Sequence, residues 1–158
     1  MSALPADAVA ACRRAQVLGV LLVLSLLVYA SVLRVIAARH APFIGFAPSI
    51  DLWLLRVVFA LLAVVDLGML RFVTPHMLAA PRSAATLAPG PAVAPRLLSL
   101  SVVRLLICEA VAVLGVVLFL LGGRWADFCG FAVAALAAFA FNFPRRALWE
   151  DWMRQLPR

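Results

Sequence analysis

The residues able to do chemistry in this chain are few, and they sit where charge is costly. Asp66, Arg104 and Glu109 fall inside long apolar runs, with Arg56 toward one end of such a run. An ionised side chain at the centre of a membrane helix costs roughly 2.5–3.5 kcal/mol, so each is expected to be paired, neutralised or used. At about 1.5 Å per residue, Asp66 lies roughly 9–10 Å from the inner end of the second apolar run, and Arg104 lies at nearly the same depth in the third. The two are expected to form an interhelical ion pair with a structural role. Arg56 is long enough to snorkel to the interface. Glu109 lies roughly 18 Å from the start of the third run, near the bilayer midplane, with no basic residue at its depth. Ser25 and Tyr29 of the first run reach a similar depth, and either hydroxyl can hydrogen-bond the acid. Hydrocarbon surroundings favour the neutral form of such a carboxyl. Two uses are open to it: a protonated hydrogen-bond donor between helices, or a group that loads and releases a proton or a sodium ion.

Enzymatic chemistry finds little footing. His40 and His76 fall in or beside loops on opposite membrane sides, which disfavours haem ligation by the pair. No Ser/His/Asp set, HExxH, glycine-rich phosphate loop or carboxylate pair in an aqueous cleft is present. Cys12, Cys108 and Cys129 lack the spacing of a zinc site or a disulfide framework and are expected to be small packing residues. No catalytic residue, metal or cofactor is expected.

The elements that must position Glu109 are membrane helices. With 66% hydrophobic residues and a mean hydropathy of +1.10, the chain of 158 residues needs lipid as its main solvent. A span takes roughly 20 apolar residues. Four stretches qualify, at about 16–38, 51–73, 97–121 and 126–143. The first follows Arg13 and Arg14 as a signal peptide would, but it is too long for one and further spans follow, so it is expected to be retained. Trp53 and Trp125 mark outer ends, and Gly122-Gly123 gives the third helix a stop. Ser101, Arg104, Cys108, Ala112 and Gly115 form a small or polar stripe that should face other helices. Gly130, Ala134, Ala135, Ala137 and Ala138 should let the fourth helix approach closely.

All 14 basic residues are arginine. They gather at the ends of apolar runs, as topology requires, and not in a stripe that would bind nucleic acid. Arg13, Arg14, Arg71, Arg82, Arg96, Arg145, Arg146, Arg154 and Arg158 share one side of a four-span protein. Arg34, Arg39 and Arg124 fall on or near the other, so both termini are expected in the cytoplasm. Residues 74–96, with five prolines, read as a cytoplasmic Pro/Ala-rich linker. The outer loop carries Phe43, Ile44 and Phe46, which are expected in the interface. In the tail, 144–158, Trp149, Trp152, Met153 and Leu156 recur at i, i+3, i+4 and i+7. They are expected to form the membrane-interface face of an amphipathic helix on the inner leaflet.

Two resemblances rest on these residues. Glu109 to Gly115, EAVAVLG, with the following VVLFLL, resembles the ion-carrying helix of the rotor-ring subunit c of rotary ATPases, especially the vacuolar type. That resemblance implies a proton or sodium ion carried by Glu109. The whole chain also resembles an uncharacterised bacterial four-helix membrane family sometimes labelled subunit c-like. The landmarks are LFLLGG at Leu118 to Gly123, Asp127-Phe128, and FPR..LWEDW from Phe143 to Trp152.

The expected fold class is therefore all-α, a single integral membrane domain (1–158) built as a four-helix transmembrane bundle with a C-terminal interfacial amphipathic helix. The expected role is that of a non-enzymatic polytopic protein of a bacterial inner membrane. It would be a small subunit of a larger assembly or a homo-oligomer, or alternatively a proton- or sodium-translocating subunit using Glu109. The expected partners are the lipid bilayer, other membrane subunits or further copies of the chain, and on the alternative reading a proton or sodium ion.

Overall fold

The computed structural model describes residues 5–47, 51–79 and 93–155. Five helices account for nearly all of them: α1 Ala6–Arg39, α2 Leu52–Ala79, α3 Val93–Gly122, α4 Trp125–Asn142 and α5 Arg146–Gln155. No strand occurs among the described residues. The first four helices are long and apolar enough to cross a membrane, which makes the chain a polytopic, all-α membrane protein.

Three helices outrun the apolar stretches that announce them. α1 begins ten residues earlier than hydropathy places its span, through the good helix formers of ADAVAA. α2 continues past residue 73 to Ala79 and carries Pro75 inside it. α3 begins at Val93 rather than at 97. Part of the expected linker is thus helical, and its centre, 80–92, lies outside the described residues. These extensions stand at the end of the bundle where α1 begins and α5 lies, called here the terminal end.

α3 is the hub. Half of its most apolar stretch is buried, against 6% for α2, so α1, α2 and α4 pack around it more than on each other. Its small stripe explains the closeness, since Ser101, Cys108, Ala112 and Gly115 are all buried. A Cβ on Gly115 would come within 2.6 Å of Phe131 Cβ and 3.3 Å of the Phe128 carbonyl oxygen. Neither atom can rotate away, so Gly115→Ala is expected to push α4 outward and cost about 1–3 kcal/mol as overpacking. Reversible unfolding in mixed micelles reads that loss, and an unchanged midpoint would contradict the close α3–α4 approach. On α4 the small residues divide: Ala135 and Ala138 are buried, whereas Gly130 and Ala137 face outward.

At the other end, the loop end, Gly123 takes a left-handed φ of 68° and its N–H donates to Phe119 O at 2.7 Å, which closes α3. The α1–α2 loop folds over this turn. Phe46 N–H donates to Leu120 O at 2.8 Å, and Phe43 stacks on Phe119 with centroids 5.4 Å apart. A side chain at Gly45 would run into Leu121 O, and φ there is 89°. Of the loop's apolar trio, Ile44 and Phe46 are exposed and Phe43 is packed.

α5 is amphipathic as its sequence requires, but its apolar face is not left for lipid. Trp149 and Trp152 are 0% and 3% exposed, and they pack on Ala8, Ala11, Cys12, Ala15, Leu97 and Leu100. Met153 joins the edge of the same cluster, and Leu156 lies outside the described residues. The expectation that Trp149, Trp152 and Met153 form a membrane-interface face is corrected here. The protruding first turns of α1 and α3 build an alanine-lined seat that covers them, with Trp149 Nε1 donating to Ser101 Oγ at 3.1 Å.

Candidate functional site

Glu109 sits on the buried side of α3, and α1 runs beside α3 in the same direction, which sets Ser25 and Tyr29, one turn apart on α1, against the acid. The carboxyl is 7% exposed. Tyr29 donates its hydroxyl to Glu109 Oε1 at 2.7 Å, and Ser25 Oγ lies 2.5 Å from the same oxygen. Ser25 Oγ is also 2.6 Å from Leu22 O. The second carboxyl oxygen, Oε2, is buried and has no hydrogen-bond partner among the described residues. Leu26, Leu105 and Cys108 belong to the buried apolar cluster of the same stretch of α1 and α3. A carboxyl held this way is isolated from bulk solvent and bonded to hydroxyls alone.

The expected ion pair between Asp66 and Arg104 does not form. Arg104 donates Nη1–H to Thr74 Oγ1 at 2.7 Å and Nη2–H to Asn142 Oδ1, and its guanidinium lies 5.2 Å from the centre of the Trp152 ring. The reason lies in side-chain direction. Helical side chains lean toward their own N-terminus, so Arg104 on α3 leans to the terminal end while Asp66 on the antiparallel α2 leans to the loop end. Depth adds to the divergence. Gly122 and Leu52 are in close contact at the loop end, with Arg104 18 residues below the first and Asp66 14 residues below the second. Arg104 therefore starts about 6 Å nearer the terminal end.

Asp66 is partly buried, and its carboxylate makes no hydrogen bond or ion pair with any described residue. Because α2 runs to Ala79, Asp66 lies in the middle of its helix, about 20 Å from each end at 1.5 Å per residue. The apolar stretch of α2 ends near residue 73, so Asp66 stands about 10 Å inside it at 1.5 Å per residue, beyond the reach of its own short side chain. One turn to either side on its own face, Leu62 and Met69 are exposed.

Between the spans an ion pair forms instead at the loop end, from two residues of like depth. Arg56, the fifth residue of α2, and Asp127, the third of α4, both stand close to the loop end. Arg56 Nε and Nη2 donate to Asp127 Oδ1 and Oδ2, both at 2.8 Å, in a bidentate fork between α2 and α4. Arg56 is thus paired rather than snorkelling free, and Asp127 serves a guanidinium besides its own helix N-terminus. Two further devices at the terminal end left no sequence signal. Arg96 donates to Met77 O and Leu78 O at 2.6–2.8 Å, satisfying the last carbonyls of α2. Gln16 Nε2 donates to Pro144 O at 3.0 Å and ties α1 to the α4–α5 joint. Cys12 and Cys108 are buried and Cys129 is exposed, all three as free thiols.

Compared with protein-family models, with curated proteins and with solved structures, the chain matches none.

Proposed function

We propose that this chain is a non-enzymatic subunit of a bacterial inner membrane, with both termini in the cytoplasm, that packs along the Asp66 face of α2 into a homo-oligomer or beside other membrane subunits. Asp66 carries the reading. A carboxylate inside a span, left to lipid, costs up to roughly 2.5–3.5 kcal/mol. Nothing within the described residues offsets that cost, and the same face presents Leu62 and Met69 outward. A neighbouring polypeptide supplies the missing partner. The orientation rests on arginine distribution: among the described residues, Arg13, Arg14, Arg71, Arg96, Arg145, Arg146 and Arg154 stand in or beside the elements that meet at the terminal end. Photo-cross-linking from position 69 in native membranes tests the proposal: one polypeptide adduct is expected, lost in Asp66→Leu, whereas adducts to lipid alone would end it.

A second reading, proton handling at Glu109, has its own support in a count of hydrogens. Three oxygen–oxygen contacts of hydrogen-bond length run through Tyr29, Glu109 Oε1, Ser25 and Leu22 O, and the two hydroxyls bring only two protons. The third comes from the acid: Glu109 donates to Ser25, Ser25 donates to Leu22 O, and Tyr29 donates to Glu109. In that arrangement the acid bridges α1 and α3, and the proton is the ion that this reading assigns. The resemblance of EAVAVLG to the ion-carrying helix of subunit c points the same way. Infrared difference spectra of the wild type against Glu109→Gln should contain the carbonyl stretch of a protonated carboxylic acid. Carboxylate bands alone would contradict the count.

A further inference from the structure

α2 and α4 are bridged at the loop end by Arg56 and Asp127, but toward the terminal end they leave a groove of about 750 Å³ between them, open along its length to the membrane. The volume is that of a ligand site, typically about 300–1,000 Å³. Its walls are apolar, with Leu67, Ala137 and Phe141 among them, and small side chains on α4 keep it clear. One end is different. Arg71, Thr74, Arg104 and Asn142 converge there.

Arg104 is a cation without a counter-ion in that end of the groove. No acidic side chain among the described residues lies within ion-pair distance of it, since the ion pairs are those of Arg56 with Asp127 and Arg154 with Asp151. A guanidinium offers five N–H donors, and Thr74 and Asn142 take two. Both side chains donate onward, the Thr74 hydroxyl to Leu70 O at 3.2 Å and Asn142 Nδ2–H to Ala138 O at 2.8 Å, and neither carries a negative charge. Nε–H is buried and has no partner. Arg71, exposed on the turn before Thr74, adds a second unpaired cation to the same mouth. Asn142 is the last residue of α4, which puts this cluster at the depth where acyl chains give way to headgroups.

We propose that the groove between α2 and α4 binds an anionic phospholipid of the cytoplasmic leaflet, with an acyl chain along the apolar wall and the phosphate on Arg104 and Arg71. Charge complementarity selects the class: a zwitterionic lipid brings its own cation to a mouth that already has two. The lateral opening selects a lipid over a water-soluble phosphate. The orientation that makes this leaflet cytoplasmic rests on the topology proposed above, but the binding site does not.

Native mass spectrometry of the full chain, released from mild detergent with phosphatidylglycerol or phosphatidylcholine added, tests it. Phosphatidylglycerol should be retained in preference to phosphatidylcholine. Arg104→Gln should weaken that retention about tenfold, the equivalent of one charge-assisted contact. Arg71→Gln, an exposed substitution that leaves the fold alone, should weaken it about fivefold. Ala137→Phe, which fills the apolar wall and leaves both arginines, should weaken it as well, and glycerol 3-phosphate should not compete. Equal retention of the two lipids, or retention unchanged in Arg71→Gln, overturns the site. Competition by glycerol 3-phosphate with Ala137→Phe silent would make it a phosphate site without a lipid, and also overturns it.

Discussion

Replacing Trp149 with alanine is expected to cost about 3–5 kcal/mol, the range for emptying a fully buried aromatic site, and to release α5 from the bundle. Trp149 is the largest fully buried side chain, at 0% exposure, and its ring touches residues from both α1 and α3. The loss has two parts. Most comes from the cavity left among Ala8, Ala11, Cys12, Ala15, Leu97 and Leu100, where small side chains have little with which to refill it. The rest comes from Ser101 Oγ, which loses its indole donor while remaining 2% exposed. Trp149→Phe separates them, since it keeps most of the packing and should cost only about 1–2 kcal/mol through the unmatched hydroxyl and the smaller ring. Unfolding in mixed micelles measures both, and hydrogen exchange across 146–155 should rise in the alanine variant. A loss below about 0.5 kcal/mol, the level of an ordinary surface change, would mean that α5 lies on the leaflet instead.

The second large effect is expected at Asp127. Asp127→Asn keeps the shape but leaves the Arg56 guanidinium facing a neutral amide, and should destabilise the protein by about 3 kcal/mol, the low end for breaking a buried pair. The low end applies because the two side chains are 28% and 13% exposed rather than fully enclosed. Arg56→Leu combined with Asp127→Leu should recover most of the loss, because two apolar groups suit this position near lipid and no orphan charge remains. A double variant as unstable as the single one would contradict the assignment. The contrast is Arg154 with Asp151, whose side chains are 74% and 55% exposed. Screening by water leaves a pair of that kind worth about 0–1 kcal/mol, and its removal should go unnoticed.

What the residues announced in advance follows from how far each signal reaches. Hydropathy and glycine stops locate four spans because burial in lipid acts on every residue of a helix at once. The partners of Glu109 were legible for a related reason: it is the only acid at its depth without a base, and Ser25 and Tyr29 are the hydroxyls of α1 at that level. Depth alone failed for Asp66 and Arg104, because it ignores which way a side chain leans on antiparallel helices. It failed again where helices outrun their apolar runs. Residues 6–15 of α1 and 93–96 of α3 extend beyond the apolar runs and carry α5 packed on them, a tertiary contact that hydropathy does not contain. For the same reason Trp149 and Trp152 read as a membrane-facing stripe. Amphipathicity states that a face must be covered and leaves open whether lipid or protein covers it.

On the proposed function, the Asp66 face of α2 meets another polypeptide within the bilayer. A photo-activated residue at position 69, one turn from Asp66, with a control at the exposed Val28 of α1, tests it in native membranes. A single polypeptide adduct is expected from position 69, either a second copy of the chain or one reproducible partner, absent from position 28 and abolished by Asp66→Leu. Lipid adducts alone from both positions, or a polypeptide adduct indifferent to Asp66→Leu, would contradict it.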